Sequence, residues 1–277
     1  MFSGISNYDG MITSAYDVFS NTELITNEFA DYWFKYVFSN RYYKKYKLTL
    51  ITDITSNGLI ANTKFVKTDN KWIKNVPTLW KTMRLKYILQ LKKGYGISKE
   101  DIMFDGDSSC IRYGEIYTKF NISFDECITK TNLSKVDNPQ YFSCDDILFT
   151  CTGELVEEIG KPVVCLGQEK CLAGGDIVVA KHDQDPLFMA FALNSEISQK
   201  QRSYGKAKLK VVHISADQIG NTVIALPPIE EQKEIGLYLR KKCLAIDSII
   251  VCKEQKIEKL EQYKKSMIYE YVTGKRE

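Results

Sequence analysis

Few residues in this chain are placed for catalysis. Asp137-Asn138-Pro139-Gln140-Tyr141 comes nearest to an enzyme motif. In amino-methylating DNA enzymes an Asn-Pro-Pro-aromatic run accepts hydrogen bonds from a flipped base's amine, and the aromatic stacks on that base. Here Gln140 replaces the second proline. No glycine loop with a downstream acid offers a nucleotide-like cofactor site, so a turn is the better reading. The acidic pairs Asp145-Asp146 and Glu157-Glu158 suit solvated turn or helix-end charges better than a metal-dependent nuclease. There is no P-loop and no G-x-S-x-G elbow, and the only histidines, His182 and His213, leave little room for a triad. Eight cysteines include no C-x-x-C pair, which argues against zinc and a disulfide framework and for reduced, mostly buried thiols. No catalytic residue, metal or cofactor is expected.

Two basic, glycine- and tyrosine-bearing loops fit nucleic acid better. They are Lys92-Lys93-Gly94-Tyr95-Gly96-Ile97-Ser98-Lys99 and residues 200–210, K-Q-R-S-Y-G-K-A-K-L-K. Lysine and arginine neutralise phosphates, glycine admits close backbone approach, tyrosine stacks or wedges, and arginine reads guanine in the major groove. The candidate DNA contacts are Lys92, Lys93, Tyr95, Lys99, Arg202, Tyr204, Lys206 and Lys208. For any one lysine, a solvated surface charge is the competing reading.

The elements that must carry these loops read as α+β. The 277 residues are 44% hydrophobic with net charge only +3, enough to bury a core and too balanced for a wholly basic protein. No apolar run approaches 18 residues and no signal pattern opens the chain, so a soluble, cytoplasmic protein is expected. A strand is expected at 9–19, an aromatic helix at 29–46 and a polar, extended linker at 59–80, pinned by Trp72, Pro77 and Trp80. A globular domain starts at Met83, with strands at 109–113, 146–150, 162–166, 177–180, 211–214 and 222–226 and an amphipathic helix at 186–199. These lack the regular strand–helix alternation of a parallel sheet.

Pro227-Pro228 then opens a long helix with Glu230, Glu231 and Glu234 in its first turns and Gly274 at its end. Its apolar positions step by four and three through Leu239, Cys243, Ile246, Ile250, Ile257, Leu260 and Met267, interrupted by Lys253 and Lys264. That is a coiled-coil seam in search of a partner helix; the alternative is a helix lying across its own domain. The expected partner-helix contacts are Leu239, Ile246, Ile250, Ile257, Leu260 and Met267. The end of this helix, Y-K-x-[ST]-[LM]-I-x-[DE] at 263–270, also occurs at 46–53, with Gly58 and Gly274 close behind. The chain therefore holds two related units, the first cut short.

These features together resemble the specificity (S) subunit of type I restriction–modification systems. The likeness runs from Gly10 to the end. It rests on L-P-P-I-E-E-Q-K-E-I at 226–235, the helix tail Leu260 to Lys275, the stretch Asn57 to Trp80, T-G-E-L-V-E-E-I-G-K at 152–161 and A-G-G-D-I at 173–177. The resemblance implies a non-catalytic subunit. Two target-recognition domains would each read one half of a split double-stranded DNA sequence, and antiparallel long helices would space the halves. Methyltransferase (M) and restriction (R) subunits would join the complex. On this basis residues 1–58 are the remnant of a first recognition domain and the tail of a first helix. Residues 59–82 are a linker, 83–226 a mixed-sheet recognition domain, and 227–277 the spacer helix. With most of the first helix expected missing, residues 230–271 would pair with a second copy or with another S polypeptide. A truncated assembly module that no longer reads DNA is the alternative.

Overall fold

The computed structural model describes residues 27–61, 63–206 and 212–274. The strand expected at 9–19 and the candidate Lys208 lie outside the described residues. The chain divides into two compact units, one comprising the residues up to Lys47 together with those from Lys242 onward, the other Leu48–Lys241.

The elements begin with α1 (Asn27–Asn57), β1 (Phe65–Lys67), β2 (Asn75–Pro77), β3 (Lys81–Arg84), β4 (Gln90–Lys93), β5 (Ile102–Met103), β6 (Ser108–Ile111) and α2 (Tyr113–Thr118). Then come β7 (Ser123–Phe124), β8 (Thr129–Thr131), β9 (Tyr141–Phe142), β10 (Ile147–Thr150), β11 (Thr152–Gly153), β12 (Pro162–Cys165), β13 (Cys171–Ala173) and β14 (Ile177–Lys181). The last are α3 (Pro186–Asn194), α4 (Glu196–Ser203), β15 (Val212–His213), α5 (Ala216–Gly220), β16 (Val223–Leu226) and α6 (Ile229–Val272).

In the 48–241 unit the strands form two five-stranded sheets, ordered β4-β14-β10-β12-β7 and β5-β8-β6-β13-β9. The central strands β10, β12 and β14 read as short apolar runs because both their faces are covered; all of Ile147–Thr150, Pro162–Cys165 and Ile177–Ala180 are buried. The core joins residues of both sheets, with Leu148, Val163 and Val179 from the first meeting Ile111, Phe142 and Cys171 from the second. Burying each such large side chain contributes about 1.5–3 kcal/mol. Helix α3 starts at Asp185, whose carboxylate accepts the Phe188 N–H at 2.7 Å, and buries Phe188 through Leu193.

The 59–82 stretch differs from the extended linker expected for it. β1 and β2 pair antiparallel, Ile73, Val76 and Trp80 are buried, and the Trp80 indole N–H donates to Glu231 at 2.9 Å. The expected helix 186–199 is two helices, because Ser195 leaves the helical conformation and its hydroxyl caps a new start by accepting the Ser198 N–H.

Residues 27–57 form one helix where the sequence suggested an aromatic helix followed by a short tail. Within the other unit the end of α1 lies antiparallel to α6. The Lys47 ammonium donates to both Asp247 oxygens at 2.6 and 2.7 Å, and Lys44 pairs with Glu254 at 3.1 Å, so α6 numbers rise as α1 numbers fall. A partner for part of the seam therefore exists within the chain. The internal repeat is visible as geometry. Both helices stop at a glycine with positive φ, Gly58 at 81° and Gly274 at 66°, where a Cβ would be strained.

All eight cysteines are free, with Cys110, Cys151, Cys165, Cys171 and Cys243 buried. Among the described residues no helix is long and apolar enough to cross a membrane.

Candidate nucleic-acid interface

Strand β4 is the edge of its sheet and pairs only with β14, in register Lys92↔Val179 and Lys93↔Val178. Its lysines are exposed, as charged residues on an open edge should be. The following loop is held by an interlock of glycines. The Gly94 N–H donates to Ile177 O at 2.7 Å and the Tyr95 N–H to Ala173 O at 3.3 Å. A Cβ on Gly94 would lie 2.2 Å from Gly174 O, and one on Gly175 would sit 3.7 Å from Gly96 Cα. The K-K-G-Y-G and A-G-G-D-I motifs are thus two sides of one junction. It presents Lys92, Lys93 and a 46%-exposed Tyr95 together. The Asp101 carboxylate accepts both the N–H and the hydroxyl of Ser98, at 2.8 and 2.6 Å, and these bonds hold its pKa below the usual value. That closes the turn carrying the exposed Lys99.

The second expected group is divided. Arg202 is not at the surface. Because α4 continues through Ser203, Arg202 shares the inward face with Ser198 and is only 3% exposed. Its Nη2 donates to Leu193 O at 2.9 Å, while Nε and Nη1 have no partner among the described residues. Burial pulls the guanidinium down to about 10. Gly160, at φ +69°, makes room for it; a Cβ there would be 2.9 Å from Arg202 Cδ. The expected DNA contact at Arg202 is therefore corrected to a buried support for the 152–161 segment. The signal was Ser195, a helix-starting residue that places Ser198 and Arg202 on one helical face.

Tyr204 remains outward, 67% exposed. It meets the Trp72 ring edge-on at 5.2 Å, and the Lys71 ammonium stands 4.3 Å from the Tyr204 centroid and 4.9 Å from that of Trp72. Nothing in the sequence marked Lys71. Lys206 is half-buried, and its ammonium donates to His213 O and to Gln218 Oε1, the latter at 2.9 Å. Gln218 belongs to α5, and Gly220 of the same helix packs on Lys86 and Leu91, so α5 ties the α4 end to the β4 region. Among the described residues no group of three or more His, Cys, Asp or Glu is placed to hold a metal ion.

Along the expected partner seam, Leu239, Ile246 and Ile250 are buried, whereas Ile257, Leu260 and Met267 are half-exposed.

A mixed-sheet domain with an exposed basic edge thus leads into a long amphipathic helix. A family model for the type I restriction modification DNA specificity domain matches residues 77–262, and the chain belongs to that family. A solved chain from work on complex assembly and conformational transition of the type I R-M system superposes with TM-score 0.63 at 13% identity, covering 87% of this chain and 54% of that one. The HsdS subunit from Thermoanaerobacter tengcongensis superposes with TM-score 0.53 at 13% identity, covering 88% and 54%. At that identity the likeness is one of fold, and this chain spans about half the length of those it matches. No curated protein matches the sequence.

Proposed function

We propose that this chain is a non-catalytic DNA-sequence-recognition subunit of a type I restriction–modification system. Its 83–226 domain reads one half of a split double-stranded target, with Lys92, Lys93, Tyr95, Lys99, Tyr204, Lys206 and Lys208 as the candidate contacts. Its long helix docks methyltransferase subunits, which restriction subunits join. The observation that carries this is a DNA specificity domain whose open sheet edge holds Lys92, Lys93 and Tyr95 outward on a rigid glycine junction. The half-exposed seam positions Ile257, Leu260 and Met267 suit a further helix, from a second copy or another S polypeptide. The test is selection of bound duplexes from a randomised DNA library by the chain together with methyltransferase subunits. A short recurring motif is expected. Binding of the subunits without any base preference would refute the reading.

One observation favours a second reading, an assembly module that no longer reads DNA. Two of the eight expected contacts spend their side chains internally, Arg202 on Leu193 and Lys206 on His213 and Gln218. Retained partner binding with base-independent DNA binding would select it.

A further inference from the structure

Charge in this chain is segregated. Residues 64–99 hold ten lysines and arginines against one acid, Asp69, although the whole chain stands at +3. Residues 100–199 hold eighteen acids against seven bases. All ten cations of 64–99 are exposed, and among the described residues none of them forms an ion pair. A concentration of one sign without counter-charges raises the local potential and costs stability by self-repulsion, so it is a feature fitted to an anion outside the chain.

Four of the ten, Lys64, Lys67, Lys71 and Lys74, fall on or beside the β1–β2 hairpin, and the hairpin is preorganised. Asn70 Oδ1 accepts the Trp72 N–H at 2.8 Å and the Ile73 N–H at 3.3 Å, and the Thr68 N–H donates to Lys74 O at 2.8 Å. Ile73 and Val76 anchor it from beneath, at 5% and 2% exposure. Its lysines therefore stand on a fixed element, and little ordering entropy remains to be lost on binding. Lys71 places the hairpin against Tyr204, already part of the proposed interface.

We infer that the β1–β2 hairpin is a phosphate-gripping surface for double-stranded DNA, a sequence-independent hold beside the recognition loops. The inference rests on the DNA-binding reading above and adds the surface that grips the backbone. A regular polyanion is the partner this chemistry fits. Lysine ammoniums neutralise phosphates as point charges, and Lys64, Lys67, Lys71 and Lys74 stand outside the recognition loops, so the hairpin positions the duplex and leaves sequence choice to those loops.

The test compares the full chain with its Lys67→Gln/Lys71→Gln/Lys74→Gln variant on a mixed-sequence duplex, by fluorescence anisotropy across a salt series. Each lost phosphate contact removes ~0.9 from the slope of log K against log salt. The triple variant is expected to lose about 2–3 from that slope, at an unchanged thermal midpoint because the three side chains are exposed. Lys92→Gln/Lys93→Gln runs in parallel. If that pair flattens the slope and the hairpin triple leaves it intact, the hairpin inference is overturned while the DNA reading stands; an acidic protein surface would then be the hairpin's partner. If the wild-type chain shows no salt-dependent binding, both readings are overturned.

Discussion

Gly94→Ala should damage this protein far more than Gly96→Ala, two residues along the same loop. At Gly94 an added Cβ would lie 2.2 Å from Gly174 O and 2.8 Å from Ala173 O, both backbone atoms that cannot rotate aside. Ordinary carbon–oxygen contact needs more than an ångström beyond the first figure, so β4 or the 173–177 turn must move by about 1 Å. That movement stretches two bonds, Gly94 N–H to Ile177 O and Tyr95 N–H to Ala173 O. Two weakened hydrogen bonds at about 1 kcal/mol each, with overpacking strain of about 1–3 kcal/mol, put the loss near ~3 kcal/mol. For a body of this size that is a fall of roughly 6–12 °C in thermal midpoint. At Gly96 a Cβ meets nothing within 4 Å, so the midpoint should stay within about 2 °C of wild type. Differential scanning calorimetry of the two variants decides the matter. Equal midpoints would refute the claim that the glycine interlock sets the loop.

Arg202→Ala should cost about 2–4 kcal/mol by leaving a cavity, while Arg202→Met should stay within about 1 kcal/mol of wild type, since it fills the space and removes two unpartnered buried nitrogens. Neither should change the salt dependence of DNA binding; a flattened slope in Arg202→Met would return this residue to the interface. Burial lowers the His182 pKa in the fold, outweighing the opposing pull of the Gln184 contact and of the nearby Asp146, Asp145 and Asp183. The unfolded chain therefore takes up the proton first as pH falls through about 6.5, and stability contributed by neutral His182 is present above that pH and lost below it. Urea melts at pH 7.5 and 5.5 should show that loss in the wild type, and His182→Gln should reduce it. Asp247→Ala strands the 11%-exposed Lys47 ammonium and should cost about 1–3 kcal/mol, read by thermal melts, whereas Glu254→Ala at the open Lys44 pair should cost under about 1 kcal/mol.

What could be read from residues alone follows from the length scale of each signal. The long helix, the strands at 146–150, 162–166 and 177–180 and the paired helix ends at Gly58 and Gly274 all declare themselves through periodicity or a glycine that only one backbone conformation explains. Arg202 was misplaced because a basic composition was read as a loop, while the choice between solvent and core turned on a single cap at Ser195. Lys206 looked free because its acceptors, His213 and Gln218, are brought near by β15 and α5 and not by sequence spacing. The hairpin at 65–77 read as polar linker because its strands are three residues long and β1 is exposed throughout, so alternation never builds a pattern. Its stability comes from Ile73, Val76 and Trp80 reaching the body, a tertiary fact.

The glycine junction also separates what this domain exposes from what keeps it folded. Gly94 fixes the backbone path by leaving no room for a side chain against Gly174 O and Ala173 O, and Lys92, Lys93 and Tyr95 stand exposed on that path. Exposed substitutions cost within about half a kcal/mol, whereas a side chain at Gly94 costs several times that. An edge strand built this way can change its exposed side chains with little threat to the fold. A readout built on Arg202 could not, since any change there must also refill the space under Gly160. The burial of Arg202 under Gly160 and the exposure of the β4 lysines thus put the two residues under different constraints, packing for the first and solvent for the second.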